Sequence, residues 1–170
     1  MKALKLNRSK FILLAFFLLC IVIIGASFST APVDSEVPYP EGFRSWAHVK
    51  TALIQKGNPG FAHWGGFHHI YGNAIAIEGY KSGKFNNGAV LVFDVLEANS
   101  KDSLVTEGKR RLVDVMVRDT VRFKATGGWG YDEFMGDSKT ERDQSIPAVA
   151  CYNCHARQKV NDNVFSHLRD

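Results

Sequence analysis

Cysteine is scarce in this 170-residue chain, with three in all, and one of them, Cys20, lies inside an N-terminal apolar run. The body is left with Cys151 and Cys154. A zinc site there would need two more ligands of cysteine or histidine type, and no second cysteine pair exists. Acidic residues are missing from residues 1–31, which hold four of the 21 lysines and arginines. The net charge of +4 and the pI of 9.0 therefore come from the N-terminus, and the remainder carries 17 basic and 17 acidic residues. A neutral body gives no reason to expect a nucleic-acid partner. Internal repeats and low-complexity tracts are absent as well. The length suffices for one ordinary core and leaves little for a second domain.

What stands at the N-terminus is an export layout. Lys2, Lys5, Arg8 and Lys10 precede an unbroken apolar run from Phe11 to Ile24, and small and polar residues follow from Gly25 to Ala31. This is the order of a secretory signal peptide. Ser29-Thr30-Ala31 offers a cleavage box, but Pro32 just after it is unfavourable. Phe28 could extend the apolar run toward the roughly 20 residues of a spanning helix. Residues 1–31 are thus expected to be a signal peptide or an N-terminal membrane anchor, with residues 11–28 as the tether to the inner membrane. Cys20 follows Leu19, which is too large for the position before a lipoprotein cysteine, so it reads as one more apolar residue. In either case the body is expected in the periplasm.

Cys151-Tyr152-Asn153-Cys154-His155 is a C-x-x-C-H sequence, the form of a c-type haem attachment. The spacing has a mechanical reason. Two thiols about one helical turn apart reach the two vinyl groups on one porphyrin edge, and the adjacent histidine turns its imidazole under the iron. Thioether bonds also retain the group in an extracytoplasmic space, where free haem would be lost. A C-x-x-C redox disulfide is the rival reading. That motif belongs at the start of a helix after a strand, and no βαβ pattern surrounds it here. One covalent haem c is expected, with His155 as the iron's axial ligand.

The rest of the body reads as a sheet with helices at its edges. Residues 32–41, with Pro32, Pro38 and Pro40, form an extended linker ahead of a haem domain over 42–170. A short helix is predicted around Phe43, Trp46, Ala47 and Lys50, then a glycine-rich loop over 57–66 and a strand over 67–71. Asn73 caps a helix running to Tyr80. Asn86-Asn87-Gly88 is a turn signal, followed by a strand over 89–97, a polar connection over 98–108 and a second long strand from Lys109 to Val117. Helical turns over 118–124, a glycine-rich turn over 126–129, a strand over 130–134 and a polar loop over 138–145 lead to the haem helix at 146–158. A last short helix falls within 162–169. The fold class is α+β: an antiparallel β-sheet with peripheral helices and a haem-binding helix at the C-terminus.

Several stretches recur in a recognisable order. They are Gly42-Phe43-Arg44-Ser45-Trp46, Gly83-Lys84-Phe85-Asn86-Asn87-Gly88 leading into a strand, Val113 to Phe123, and Gly127-Gly128-Trp129-Gly130. Cys151 to His155 follow, with Asp162-x-Val164-Phe165-Ser166 beyond. On these the chain resembles the cytochrome P-460 family, including its cytochrome c-prime-beta relatives, over residues 38–168. The resemblance implies a mainly β, usually homodimeric periplasmic protein. Its haem iron is five-coordinate, with histidine on one side and an open distal position on the other. P-460 proteins proper oxidise hydroxylamine and carry a lysine joined to the haem edge. The c-prime-beta members lack that bond and bind nitric oxide and similar gases.

Carried over on the Phe85 to Gly88 register, the lysine position falls on Phe93, and residues 89–96 contain no lysine. The resemblance therefore implies no cross-link and an apolar ring toward the iron. The register through Arg118-Asp119-x-x-Arg122-Phe123 puts Asp114 where hydroxylamine-oxidising members have a proton-accepting carboxylate. Strand alternation groups Asp114 with Leu112 and Met116, and Phe93 with Ala89, Leu91 and Val95. Asp114 then lies in an apolar pocket, or is a partly exposed residue paired with Arg111 or another base.

The expected function is that of an exported mono-haem c-type cytochrome with an open distal site. It would bind or redox-convert small nitrogen species such as nitric oxide or hydroxylamine. Phe93 would screen the iron and Asp114 would act as distal base. Expected partners are the small ligand, an unidentified redox protein and a second copy of the chain. Two alternatives stand beside this. One is a six-coordinate electron-transfer cytochrome with Met116 or a histidine as sixth ligand. The other is a haem gas sensor or scavenger without turnover. Met116 otherwise reads as core packing. His68 and His69 share a strand, so one faces inward, lining the distal side or making an ordinary hydrogen bond. His63 and Trp64 read as surface loop. Lys109-Arg110-Arg111 reads as a propionate partner or a solvated strand edge, and Trp129, Tyr71 and Tyr80 as packing.

Overall fold

The computed structural model describes residues 36–169. The export segment and the start of the linker, residues 1–35, lie outside the described residues. Five strands, β1 (Ala47–Ile54), β2 (Gly66–Gly72), β3 (Val90–Lys101), β4 (Leu104–Arg118) and β5 (Trp129–Met135), lie side by side in chain order. Every pairing is antiparallel. The helices are α1 (Phe61–Trp64), α2 (Ala74–Ser82) and α3 (Ala148–His155), with 3-10 turns at Phe43–Ser45, Lys124–Thr126 and Ala156–Asn161. The architecture is α+β, as the sequence predicts. Among the described residues no helix is long and apolar enough to cross a membrane.

Alternation on the central strands gives the sheet two apolar faces. On one, Val92, Val113 and Val115 pack with Val37, Phe43, Tyr71, Phe123 and Phe134. On the other, Leu91 and Tyr131 pack with Ala76 of α2, Phe85, Trp129 and Val164, and Met116, Cys151 and Tyr152 lie against them. Each fully buried valine contributes about 1.5–3 kcal/mol. Asp94 is fully buried beside the first face, and an unpaired charge there would cost more than one such valine returns. It is held by Arg110, whose Nε donates to Oδ1 at 2.6 Å, and by Arg44, whose Nη1 donates to Oδ2 at 2.9 Å.

Asn73 does what its position predicts and more. Its Oδ1 accepts from Ala76 N at 2.9 Å, capping α2, and from Val90 N at 3.1 Å, while its Nδ2 donates to Gly88 O at 2.9 Å. One side chain thus starts α2 and ties the turn before β3. Asn73→Ala is expected to lower unfolding free energy by about 1–2 kcal/mol, the cap plus the lost strand ties. Asn73→Asp, which keeps the acceptor, should recover part of the loss in urea titrations.

The structure corrects several local expectations. The helix predicted around Phe43 to Lys50 is only the turn Phe43–Ser45, and Ala47–Ile54 is the edge strand β1. Its burial is irregular, with Val49 alone buried, so pairing with β2 outweighs any local pattern. The connection predicted over 98–108 is a hairpin. β3 and β4 run on to Lys101 and Leu104, and Asp102 and Ser103 both take positive φ, 51° and 64°. Two such residues make a primed turn whose twist matches the strands. Over 118–124 a single turn forms, with Phe123 N donating to Asp119 O at 3.0 Å and Asp119 Oδ1 accepting from the N–H groups of Val121 and Arg122, and the 3-10 turn follows from Lys124. The helix predicted within 162–169 is absent, because Asp162 (φ 48°) and Asn163 (φ 67°) are left-handed. The loop over 57–66 contains α1 and ends at Gly66, where φ is 115° and a Cβ would lie 2.0 Å from Leu96 O. Residues 36–40 form neither helix nor strand but are packed: Val37 is fully buried and Tyr39 meets Phe134 edge-on at 5.1 Å.

Candidate functional site

Cross-strand registers assemble one patch from four strands. Ile70, Phe93, Asp114 and Glu133 form one row across β2 to β5, and Gly72, Leu91, Met116 and Tyr131 form the next. Residues paired across antiparallel strands share a face, so Phe93 and Asp114 stand together on the face that carries Tyr131. Cys151 and Tyr152 of α3 pack against that face, and the His155 ring lies 5.1 Å from that of Tyr131. The structure thus brings all five residues singled out in the sequence, Phe93, Asp114, Cys151, Cys154 and His155, to one face of the sheet and the helix upon it.

His155 is oriented from behind. Its Nδ1 donates to the Asn163 carbonyl at 2.8 Å, which leaves Nε2 as the free lone pair. The left-handed pair Asp162 and Asn163 turns the chain back to present that carbonyl. Burial holds the imidazole below its usual pKa, so it is neutral and a competent metal ligand. Cys151 and Cys154 are unbridged, the first half-buried and the second exposed. Burial, then the charges of Asp114 and Glu133, push the Cys151 thiol up to about 11. A redox C-x-x-C nucleophile has the opposite character, a lowered pKa. Two unbridged thiols one turn apart and a neutral imidazole with one free nitrogen suit a haem of the c type. Two buried polar atoms on this face, Tyr131 Oη and Asp114 Oδ1, also have no protein partner among the described residues.

Asp114 takes the pocket form of its two readings. Trp64 Nε1 donates to its Oδ2 at 3.0 Å. Arg111 does not pair with it; that guanidinium donates to the carbonyls of Gly65 and Ala62 and holds α1 in place. Burial, then the neighbouring Glu133 carboxyl, hold Asp114 well above the usual carboxylate range. His68 is the inward member of its pair, 2% exposed, bonded to the Trp64 carbonyl and 4.3 Å ring to ring from Phe93. His69 faces the other way, toward Thr51 at 2.9 Å and Glu107 at 2.8 Å. Arg110 belongs to Asp94 and Asp137. Met116 packs beside Leu91 and Tyr131. Tyr71 is core, and Tyr80 bonds Ser166 Oγ at 2.6 Å, its phenol pushed up to about 12 by burial.

Five residues of this region escape the sequence analysis: Glu133, Tyr131, Asn163 and the α1 pair His63-Trp64, which local composition assigns to a surface loop. Glu133 and Tyr131 were visible only as alternate residues of a short strand. Asn163 acts through its backbone, which no side-chain pattern reveals. The scattered motifs, in contrast, have a common centre in Asp162. Its Oδ2 accepts from Phe85 N at 2.9 Å, its Oδ1 lies 3.3 Å from Arg118 Nη2, and its carbonyl accepts from Trp129 Nε1 at 2.8 Å. The stretches around Phe85, Arg118, Trp129 and Asp162 are one packed unit beside the haem helix.

No curated relative matches the chain. A family model described as Cytochrome P460 matches residues 40–166, nearly all of the described structure, so the chain belongs to the cytochrome P460 family and is a haem cytochrome.

Proposed function

We propose that this chain is an exported cytochrome that holds one haem covalently through Cys151 and Cys154, with His155 as the proximal ligand. Its distal side binds or redox-converts small nitrogen species such as nitric oxide and hydroxylamine, without a lysine cross-link. The observation that carries this reading is the cross-strand pair Phe93–Asp114 on the face that α3 packs against. An aromatic ring stands at the register where the cross-linking lysine would be, and β3 has no lysine from Val90 to Ser100. The haem supplies the redox centre and an open coordination position. The chain's own residues do the rest. Asn163 fixes the His155 ring through Nδ1. Phe93, Leu91 and Met116 make the distal wall apolar, which favours small uncharged ligands. Asp114, oriented by Trp64, is placed to accept a proton from a bound ligand. The basic, apolar layout of residues 1–31 supports a periplasmic location, free or tethered, and the family resemblance supports a homodimer served by a redox protein.

Absorption and resonance Raman spectra of the purified protein, ferric and ferrous, with and without nitric oxide, test this directly. The expected result is five-coordinate high-spin iron whose spectrum changes when nitric oxide is added. Six-coordinate low-spin iron that ignores nitric oxide would sink the proposal in favour of an electron carrier, with Met116, which shares the face, as the first candidate ligand. A red-shifted Soret band of the P-460 type would overturn the Phe93 argument.

A further inference from the structure

A second concentration of ligating groups lies on the β4–β5 flank of the same face. Glu133 has a carboxylate on each side. Asp114 is its cross-strand partner on β4. Asp143 is its neighbour beyond β5, where the Phe134–Arg142 bridge sets the register and Asp143 N donates to Glu133 O at 2.9 Å. Like charges set directly opposite one another on a sheet are destabilising, and here three carboxyl groups stand in adjacent positions. The basic group that meets them is His63 of α1, whose Nε2 lies 2.9 Å from both Glu133 oxygens. A second feature points to a ligand. Asp114 Oδ1 is buried beside the Glu133 carboxyl and no N–H among the described residues reaches it, while Trp64 engages only Oδ2; two such acceptors can meet only with a proton or a cation between them.

We propose that His63, Glu133 and Asp143 bind a divalent first-row transition-metal cation, with Asp114 Oδ1 facing its coordination shell, directly or through a water. The ligand atoms of the three residues all lie within 4.8 Å of one another. Two donors bound to one cation at about 2.1 Å lie about 3 Å apart when adjacent, which is the spacing His63 and Glu133 already have. A modest side-chain adjustment closes the set around Asp143. One imidazole nitrogen with carboxylate oxygens suits zinc, manganese, cobalt or ferrous iron, whereas calcium and magnesium take oxygen donors alone. A divalent cation would turn the adjacent carboxylates from mutual repulsion to shared attraction and fix α1 against β5. None of the three ligands belongs to the C-x-x-C-H motif, so the site does not depend on haem attachment, and Asp114 is the one residue it shares with the proposed distal side.

The test uses the haem-loaded full-length protein, stripped with a chelator and titrated calorimetrically with Zn²⁺ and with Mn²⁺, with metal content checked by mass spectrometry. Saturable binding of one equivalent is expected, with a rise in thermal midpoint. His63→Ala and Asp143→Asn should each weaken it at least tenfold, and Asp143→Asn should leave the haem absorption spectrum unchanged. Asp143 lies in a loop, so its variant keeps the test interpretable if the His63 variant folds poorly. Absence of saturable binding of either cation would overturn the proposal. So would binding that both variants retain undiminished, which would place the cation elsewhere.

Discussion

A Cys151→Ala/Cys154→Ala variant is expected to carry no haem that survives denaturation. In a gel stained for haem peroxidase activity, the wild-type band should be strong and the double variant blank. Each single variant should retain one thioether and show a shifted alkaline pyridine haemochrome absorption. The reasoning is geometric. The two thiols sit three residues apart on α3, about one turn, and among the described residues no other cysteine exists to replace them. The fold should survive the change. Neither cysteine belongs to the core of Val92, Val113, Val115 and Phe134, and no residue of α3 is fully buried. Far-UV circular dichroism of the double variant should therefore keep its sheet signal. A haem-stained band persisting in the double variant would refute covalent attachment through this motif.

Replacing Asp114 with asparagine separates catalysis from stability. As a general base, Asp114 should contribute on the order of a hundredfold to hydroxylamine turnover, and Asp114→Asn should lose that factor. Its effect on folding runs the other way. Burial and Glu133 raise the folded-state pKa of this carboxyl. A group so raised is fully compatible with folding below the ordinary carboxyl pKa of about 3.9, and loses stability as pH rises toward its folded value. At neutral pH the wild type bears that cost and the asparagine variant does not. Urea midpoints measured with chelator present should therefore be equal or higher for Asp114→Asn, and the difference should grow with pH from 4 upward. A variant that is both inactive and less stable would mean a structural role through the Trp64 hydrogen bond alone. Unchanged turnover would remove Asp114 from the reaction.

The reach of the sequence is clearest where a residue's role depends on its own neighbours in the chain. The C-x-x-C-H motif, the Asn73 cap and the alternation that groups Asp114 with Met116 and Phe93 with Leu91 are all of this kind, and the structure shows the cap and the alternation as the sequence predicts. Legibility failed where local signals were weak or overridden. β1 is an edge strand with little burial, so nothing in its composition announces pairing. The Asp102-Ser103 hairpin lacks the glycine that usually marks a primed turn. The left-handed residues Asp162 and Asn163 stand in place of a plausible helix because their carbonyls accept from Trp129 Nε1 and His155 Nδ1, while the Asp162 carboxylate accepts from Phe85 N.

By itself the sequence determined the chemistry this chain can offer: two thiols and a histidine at haem spacing, a stretch over residues 89–96 with no lysine, and a basic then apolar N-terminus ahead of a neutral body. These are local facts, set by spacing along the chain. Only the tertiary structure decided what Asp114 is. Its environment is made by Trp64, fifty positions earlier, and by Glu133 on the next strand, and cross-strand register, which no local pattern encodes, brings them together. The same register sets Glu133 between two other carboxyls and turns His63 from a loop residue into their counterpart. A side chain's charge state depends on the dielectric and the charges around it, and in this protein both are supplied by residues distant in sequence.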